Sequence, residues 1–576
     1  MDYQKKYRQW LDSSYLKEED KEELRSIAGN EEEILDRFYK DLDFGTGGIR
    51  GKIAIGANRM NIYTVGQTTQ GLANYLLQKV EKTQEKGVVI AHDPRKMSRE
   101  FTEQAAQVLT ANGIKTYLFD DIRPTPELSF AVKMIGAAAG IVITASHNPP
   151  DYNGYKVYAE NGAQILPEIA DEIIAEISKI ENYSKVKLIS LEEAKERKLC
   201  KILGEVFDRV YYEKVKTLSL SKDEEIDEEI KVVYTPLHGT GNIPVRTILK
   251  DRGFKNVFVD EEQAQPDARF STVKSPNPEN PEAFERAVGL GKKVGAEILI
   301  ATDPDCDRIA IAVLNKKNNY IFLNGNQTGA LLLDYILKRR QEKGKLPQKG
   351  FVIKTIVTSE MGRVIAEHYH IPTYDTLTGF KFICNKAEEL EQEGGIFLFG
   401  YEESIGYLTG NFVRDKDAVI SAMLIVEMAA FYKKRGLTLL DVLQSLYERH
   451  GYFLEYLDSI FLEGLEGEQK MEMIMASFRK EFPRISGMTI SRKIDYLLSL
   501  QYDFERQKEE IIDLPKSDVL KCFFTDGSWY AIRPSGTEPK IKIYMSLLGK
   551  TRAEAEEKLA KVKSVVFGKI ENDLAN

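Results

Sequence analysis

The sequence predicts an α/β chain in which mixed or parallel sheets are followed by a smaller α+β unit. Three observations carry this. Short apolar runs, "GVVIAHD" (87–93), "GIVITAS" (140–146), "IKVVYTP" (230–236), "NVFVD" (256–260), "EILIATD" (297–303) and "GFVIKTIV" (350–357), have the length and composition of buried strands, and each ends in polar or turn residues. Between them lie stretches of helical spacing; "SREFTEQAAQVLTANG" (98–113) closes on a glycine. From about residue 451 a helix-rich piece leads into "CFFTDGSWYAIRPSGTEPKIKIYMSL". Strands alternating with helices give βαβ units, whose ligands bind at the carboxyl ends of strands.

The chain of 576 residues has room for about three to five domains. Its first stretch, "MDYQKKYRQWLDSSYLKEEDKEELRS", is charged and has no apolar core, so it reads as a helical extension and not as a signal peptide. The acidic "SLSKDEEIDEEIK" (219–231) reads as a solvated connection and "KRRQEKGKLPQKG" (338–350) as a loop. The longest near-apolar runs are 134–145, too short to span a bilayer, and 418–431, interrupted by Glu427; no transmembrane helix is expected. With 80 basic and 89 acidic side chains the net charge is −9, which argues against a general nucleic-acid binder. Cys200, Cys306, Cys384 and Cys522 are scattered, without C-x-x-C spacing, so neither a zinc site nor a disulfide framework is expected and a reducing cytoplasm fits.

The candidate chemistry begins with "GIVITASHNPPDYNGYKVY" (140–158). Ser146 ends a strand, His147 and Asn148 add donors beside it, and the turn-rich "PPDYNG" brings Lys156 back toward the same region. There is no G-x-S-x-G elbow, so an α/β-hydrolase is disfavoured. A serine without a dedicated base is a poor nucleophile toward esters. It can carry a phosphoryl group, where positioning and charge neutralisation matter more than base strength. The competing reading is a turn or cap residue.

In "EILIATDPDCDRIAIAVL", Asp303, Asp305 and Asp307 alternate between two strand-like runs. An EF-hand would need Gly at loop position 6 and Glu at position 12; these are Arg308 and Leu314. Carboxylates alternating in a tight loop converge on one hard cation, and magnesium suits a few carboxylates plus a phosphate oxygen. In "WYAIRPSGTEPKIKIYM", Arg533 offers a fork for phosphate, and Ser535, Gly536 and Thr537 could complete an anion nest; a plain hairpin turn is the alternative. In "FGYEESIGYL", Glu402, Glu403 and Ser404 at a strand end suit sugar hydroxyls, although acidic loops are commonly just solvated. "DFGTGGIRGK" is a glycine-rich loop leading to Arg50 and is not a Walker A loop. "TLTGFK" and "VRDKDA" add Thr378, Lys381 and Lys416 as candidate phosphate or sugar contacts.

Together, "FGTGGIRG", "TASHNPPDYNGYK", "LHGTGN", "SPNPENPE", "DPDCDR", "GYEESIG" and "RPSGTEPK" resemble the motifs of the α-D-phosphohexomutase family, in the family's order, and within it the phosphoglucomutase/phosphomannomutase branch. The resemblance covers residues 43 to about 545. It implies four domains arranged as a heart around a central cleft: a helical extension (1–42), three similar α/β domains (43–208, 209–324 and 325–450) and a smaller C-terminal phosphate-binding domain (451–576). It implies that Ser146 carries the phosphoryl group and, with Asp303, Asp305 and Asp307, holds Mg²⁺. Arg50, Lys156 and Arg308 would surround the reacting phosphoryl, with Lys156 the usual general acid/base and His147 in the catalytic group. Glu402 and Ser404 would hold the sugar, Thr378 and Lys416 would touch substrate, and Arg533, Ser535, Gly536 and Thr537 would hold the non-reacting phosphate.

The implied reaction interconverts α-D-glucose 1-phosphate and glucose 6-phosphate through glucose 1,6-bisphosphate. Phosphomannomutase and phosphopentomutase are the same-mechanism alternatives, and a non-catalytic sugar-phosphate sensor a distant one. The partner is a small sugar phosphate, not nucleic acid or membrane, and the enzyme a cytoplasmic monomer or homodimer. "DPDCDR" lacks the Gly that many members carry at its second or fourth position. Tyr401 and Ile405 make the sugar loop closer to the longer phosphoglucomutase/phosphopentomutase branch.

Overall fold

A computed structural model describes residues 2–45, 47–462, 464–535 and 540–575. Four sheets follow one another along the chain. In the first, the strands lie in the order 44–45, 48–52, 152–159, 139–143, 88–92, 116–119, 200–203. Val88–His92 and its neighbours Thr116–Phe119 and Ala139–Ile143 are parallel, as buried runs of apolar residues require, and Tyr152–Ala159 returns antiparallel to Ala139–Ile143. The second sheet repeats the device: Lys231–Thr235 is parallel to Asn256–Val259 and Ile298–Thr302, and Ile309–Leu314 returns antiparallel. So does the third: Gly350–Thr355 is parallel to Thr373–Thr376 and Ile396–Glu402, and Gly406–Leu408 returns antiparallel. Each antiparallel return creates a hairpin turn at the carboxyl end of a central strand. Those three turns hold Ser146, Asp303–Asp307 and Glu403–Ile405. The fourth sheet is antiparallel throughout.

The strands expected from composition all form, with ends shifted by no more than three residues. Three segments differ from the sequence reading. The helix Gly325–Glu342 runs through Lys338–Arg340, because Leu337 and Arg339 are buried and the Arg339 guanidinium lies 4.4 Å over Phe431. Residues 219–221 are not a solvated link. The amides of Leu220 (2.8 Å) and Ser221 (3.0 Å) and the Ser219 hydroxyl donate to Glu427, with Tyr335 (3.0 Å) and Arg252 (2.9 Å) completing its shell. The piece after 451 begins with the strand Tyr452–Phe461, paired along its whole length with Lys540–Gly549.

Glu427 therefore sits fully buried inside the helix Ala418–Lys433 as the knot between the second and third units. Glu427→Ala would take from Arg252 its buried partner, leaving it the exposed Asp223, and would leave two amides unpaired; the expected loss is about 3 kcal/mol, seen as a lowered urea midpoint. A midpoint unchanged from wild type would contradict the assignment. No helix among the described residues is long and apolar enough to cross a membrane.

Three helices, Tyr3–Leu11, Glu18–Ser26 and Glu31–Phe38, form the N-terminal extension, packing Trp10 edge-on against Phe38 and Tyr63. Arg37 on the third helix donates to Glu23 (2.6 Å), Glu33 (2.7 Å) and the Ile55 carbonyl (3.0 Å), which fastens the extension to the segment after strand Gly48–Lys52. The fourth sheet joins the third unit through an apolar contact of Ile356, Val357 and Leu377 with Phe523 and Trp529. Beside it the buried Lys521 ammonium donates to the Ile356 carbonyl at 2.6 Å.

Candidate active site

The strand Ala139–Ile143 is buried throughout and delivers Ser146 just past its carboxyl end. Ser146 has a left-handed backbone, φ 51°, which is uncommon for a residue with a Cβ. Its Oγ donates to Asp303 Oδ2 at 2.6 Å and lies 3.1 Å from His147 Nδ1. Burial and the nearby Arg308 and Arg50 hold the His147 imidazole well below its ordinary pKa, so it is neutral at pH 7. The turn then reverses into Tyr152–Ala159. There Lys156 lies between Val142 on one neighbouring strand and Gly48 on the other, and Arg50 opposite Gly154. This pairing demands glycine at two places. Gly48 has φ +145°, and a Cβ there would lie 1.8 Å from the Tyr155 carbonyl oxygen; one on Gly154 would lie 2.5 Å from that of Thr144. Arg50 Nη1 reaches Asn148 Oδ1 at 2.9 Å.

The aspartates occupy the turn between Ile298–Thr302 and Ile309–Leu314. Asp303 closes it, its Oδ1 accepting the amides of Asp307 (3.2 Å) and Arg308 (2.9 Å). All three carboxylates are buried, and one oxygen from each lies within 4.8 Å of the others. Lys156 Nζ is 2.8 Å from Asp305 Oδ2 and 3.6 Å from Asp307 Oδ2; Lys416 Nζ is 3.2 Å from Asp307 Oδ2. Burial, then Asp305 and Asp307, push the Asp303 carboxyl well above the usual range. Burial works the same way on Asp305, but Lys156, with Asp303 and Lys416 adding to it, outweighs it, and that carboxyl is held below the ordinary range. For Lys156, the two aspartates outweigh burial and keep the ammonium charged.

This donor set fits a magnesium ion. The oxygens are hard and converge, and Asp305 Oδ1 and Asp307 Oδ1 are buried without a hydrogen-bond partner. The Ser146 hydroxyl on Asp303 marks where a seryl phosphate oxygen would join them.

Glu402 ends strand Ile396–Glu402 beside Ser404, and its carboxyl is raised by burial against the opposing pull of Lys416 and Arg308. Glu403 faces away, accepting Thr355 and Thr358 hydroxyls at 3.1 Å each. The Ile405 carbonyl accepts the Ile309 amide at 3.1 Å, which locks the third turn to the second. Arg308 Nε is 3.8 Å from Asp307 Oδ1 and its Nη1 3.8 Å from Glu279. The structure thus gathers Ser146, His147, Arg50, Lys156, Asp303, Asp305, Asp307, Arg308, Glu402, Ser404 and Lys416 around one centre.

It does not gather the rest. Thr378 is half-buried in the loop before helix Phe380–Gln392, Arg533 stands on strand Trp529–Pro534 of the fourth sheet, and Ser535 directly follows that strand. Among the described residues no hydrogen bond or ion pair joins these three to the Ser146–Asp303 cluster. Gly536 and Thr537 lie outside the described residues. Tyr544 of the fourth sheet, with Glu279 and Glu403, lines a cavity of about 260 Å³ between that sheet and the turn Glu403–Ile405.

Sequence reasoning missed two contributors. Thr125, at the first turn of helix Thr125–Ile135, donates its hydroxyl to Asp305 Oδ2 (3.1 Å) and its amide to the Asp305 carbonyl (2.9 Å). Asp415 holds Lys416 at 3.1 Å and accepts Tyr158 at 2.6 Å. Thr125 carries no motif, since "RPTPE" shows only a proline-opened helix, and Asp415 lies within "VRDKDA", where its neighbour Lys416 is the candidate contact.

Four family models match in order: phosphoglucomutase/phosphomannomutase alpha/beta/alpha domain I over residues 41–184, domain II over 209–316, domain III over 324–450, and the C-terminal domain over 489–563. A phosphoglucomutase of Staphylococcus epidermidis is 38% identical over 90% of this chain and 92% of its own length. One of Staphylococcus aureus is 40% identical over 88% and 90%. Among solved structures, a putative phosphomannomutase of Thermus thermophilus shares the fold with a TM-score of 0.67 at 21% identity, covering 91% of this chain and 99% of the other.

Proposed function

Because the chain belongs to the phosphoglucomutase/phosphomannomutase family, we propose that it is a phosphoglucomutase interconverting α-D-glucose 1-phosphate and glucose 6-phosphate. The observation that carries the reading is the 2.6 Å hydrogen bond from Ser146 Oγ to Asp303 Oδ2, which places a hydroxyl of one sheet on a buried carboxylate cluster of another. A serine there serves as a phosphoryl carrier. Phospho-Ser146 gives its phosphoryl group to the free sugar hydroxyl: the phosphorus–Oγ bond breaks, a bond to the sugar oxygen forms, and glucose 1,6-bisphosphate results. After the sugar turns over, Oγ accepts the other phosphoryl group. Magnesium held by Asp303, Asp305, Asp307 and the seryl phosphate would supply charge neutralisation.

This chain's residues supply the rest. Lys156, held charged, is placed to give a proton to Oγ as it leaves, and the proton shed by the sugar hydroxyl restores its charge, so that the net transfer is from sugar hydroxyl to Oγ. Arg50 and Arg308 orient the transferring group. Glu402 and Ser404 bind sugar hydroxyls, with Thr378 and Lys416 as further contacts. Arg533 and Ser535, together with Gly536 and Thr537, would hold the phosphate that is not reacting. Units 43–208, 209–324, 325–450 and 451–576 then each contribute one loop to the cleft, and residues 1–42 brace the first. We place the enzyme in the cytoplasm as a monomer or homodimer; its four cysteines are free.

Intact-protein and peptide mass spectrometry tests the scheme. A phosphate is expected on Ser146 and should leave on incubation with sugar monophosphate. Parallel assays with glucose, mannose and ribose 1-phosphates should favour glucose. Release of inorganic phosphate as fast as isomer forms would overturn the mutase reading in favour of a phosphatase.

A further inference from the structure

We infer that Arg95 is the positioning residue of the phosphoryl-carrying turn, an inference that rests on the reading of Ser146 above. Arg95 follows strand Val88–His92 and is buried, 3% exposed. Its Nη2 donates to the carbonyl oxygens of Ser146 (2.5 Å) and Asn148 (2.6 Å), and its Nη1 to those of Pro149 (2.8 Å) and Tyr152 (3.1 Å). Four carbonyls from seven consecutive residues converge on one planar cation. Arginine is the side chain with enough donors in a fixed plane to do this, and lysine is not a substitute for its fork. Residues 146–151 belong to no strand, so these inward carbonyls need a partner that the sheet does not provide.

The charge is answered by Asp93, whose Oδ2 lies 3.2 Å from Arg95 Nε with both side chains fully buried. Asp93 Oδ1 accepts the Arg95 amide (2.9 Å) and the Ser98 hydroxyl (2.8 Å). Asp93 Oδ2 accepts the Thr144 hydroxyl at 2.7 Å, and Thr144 Oγ1 in turn accepts the Ser146 amide at 2.8 Å. One buried ion pair therefore fixes both peptide groups of Ser146, the amide through Thr144 and the carbonyl through Arg95. Between them sits the left-handed φ of 51°, a conformation that persists only where the surroundings over-determine it. Phe270, from the second unit, covers the guanidinium with its ring centroid 4.9 Å away. The frame thus also sets the turn against the sheet that carries Asp303. None of the Arg95 hydrogen bonds goes to Ser146 Oγ or to an aspartate of the metal loop, so Arg95 acts through the backbone it holds.

The test compares Arg95→Lys, Arg95→Met and Thr144→Val with wild type. Steady-state kinetics are combined with the single-turnover rate at which substrate removes phosphate from phospho-Ser146, counted per phosphorylated molecule. Misplacing Oγ by about an ångström predicts a kcat lower by roughly 100-fold in the Arg95 variants, and about 10-fold in Thr144→Val, with KM within about threefold because no substrate contact is lost. A merely structural role would lower the melting temperature and the yield but leave the rate per phosphorylated molecule unchanged. Should Arg95→Met fail to fold, Arg95→Lys and Thr144→Val decide. Folded variants whose single-turnover rates stay within threefold of wild type overturn this inference alone, whereas a wild type lacking both phosphoserine and turnover overturns the function reading with it.

Discussion

Ser146→Ala is expected to lower mutase turnover by about 10⁴-fold or more, the scale seen when an enzyme loses its nucleophile, with no phosphate on the 146-containing peptide. The prediction has a sharper form because of the backbone. At φ 51° an alanine keeps the steric cost of a Cβ, whereas a glycine does not. Ser146→Gly should therefore be the more stable of the two, by up to about 1 kcal/mol, and equally inactive. Ser146→Thr keeps the hydroxyl but puts a branched Cβ in the left-handed region, so it should lose stability and fold with its oxygen displaced from Asp303. Turnover tracking the hydroxyl and its direction while stability tracks the backbone would separate the two roles. Measurable chemistry in Ser146→Ala at wild-type rate would remove Ser146 from the mechanism.

How much of this was legible from the residues differs by element. The buried strands are short, largely apolar runs, and they form where composition puts them. The strand Tyr452–Phe461 is mostly half-buried, with Glu455 and Asp458 among its residues, and a long antiparallel partner about 80 to 100 residues away decides its state. The 219–221 link reads as solvent-facing until Glu427, two hundred residues later, supplies its acceptor. The site divides in the same way. Ser146 and the three aspartates stand out because unusual chemistry interrupts apolar runs. Arg95, Thr125 and Asp415 act on backbone or on other side chains across sheets, and no local pattern marks such partners. The family resemblance supplied the grouping that spacing could not, since Ser146 and Asp303 meet over 157 residues.

Asp303 and Asp305 should respond unequally to loss of charge, although either loss should disable the enzyme. Asp305 is bonded to Lys156 at 2.8 Å and its carboxyl is held below the ordinary range; Asp303 accepts only neutral donors and its carboxyl is pushed well above. At pH 7 both are ionised in the unfolded chain. Folding therefore favours the charge on Asp305 and opposes the charge on Asp303. In metal-free protein Asp305→Asn should lower the melting temperature, because it leaves Lys156 with its more distant partner Asp307 alone. Asp303→Asn should leave the melting temperature unchanged or raise it, since an amide relieves repulsion and keeps the turn's acceptor. With magnesium added, wild type should become the more stable of wild type and Asp303→Asn. A ligand that binds only the folded state stabilises it by RT ln(1 + [L]/Kd), so wild type should gain melting temperature on titration while both variants gain little. Turnover should fall by about 10³-fold or more in each, as several kcal/mol of charge stabilisation is lost at ~1.4 kcal/mol per decade. Equal metal-free stabilities of the two variants would show that Lys156 does not discriminate between the carboxylates. A magnesium-dependent shift surviving in Asp305→Asn would move the cation away from this turn.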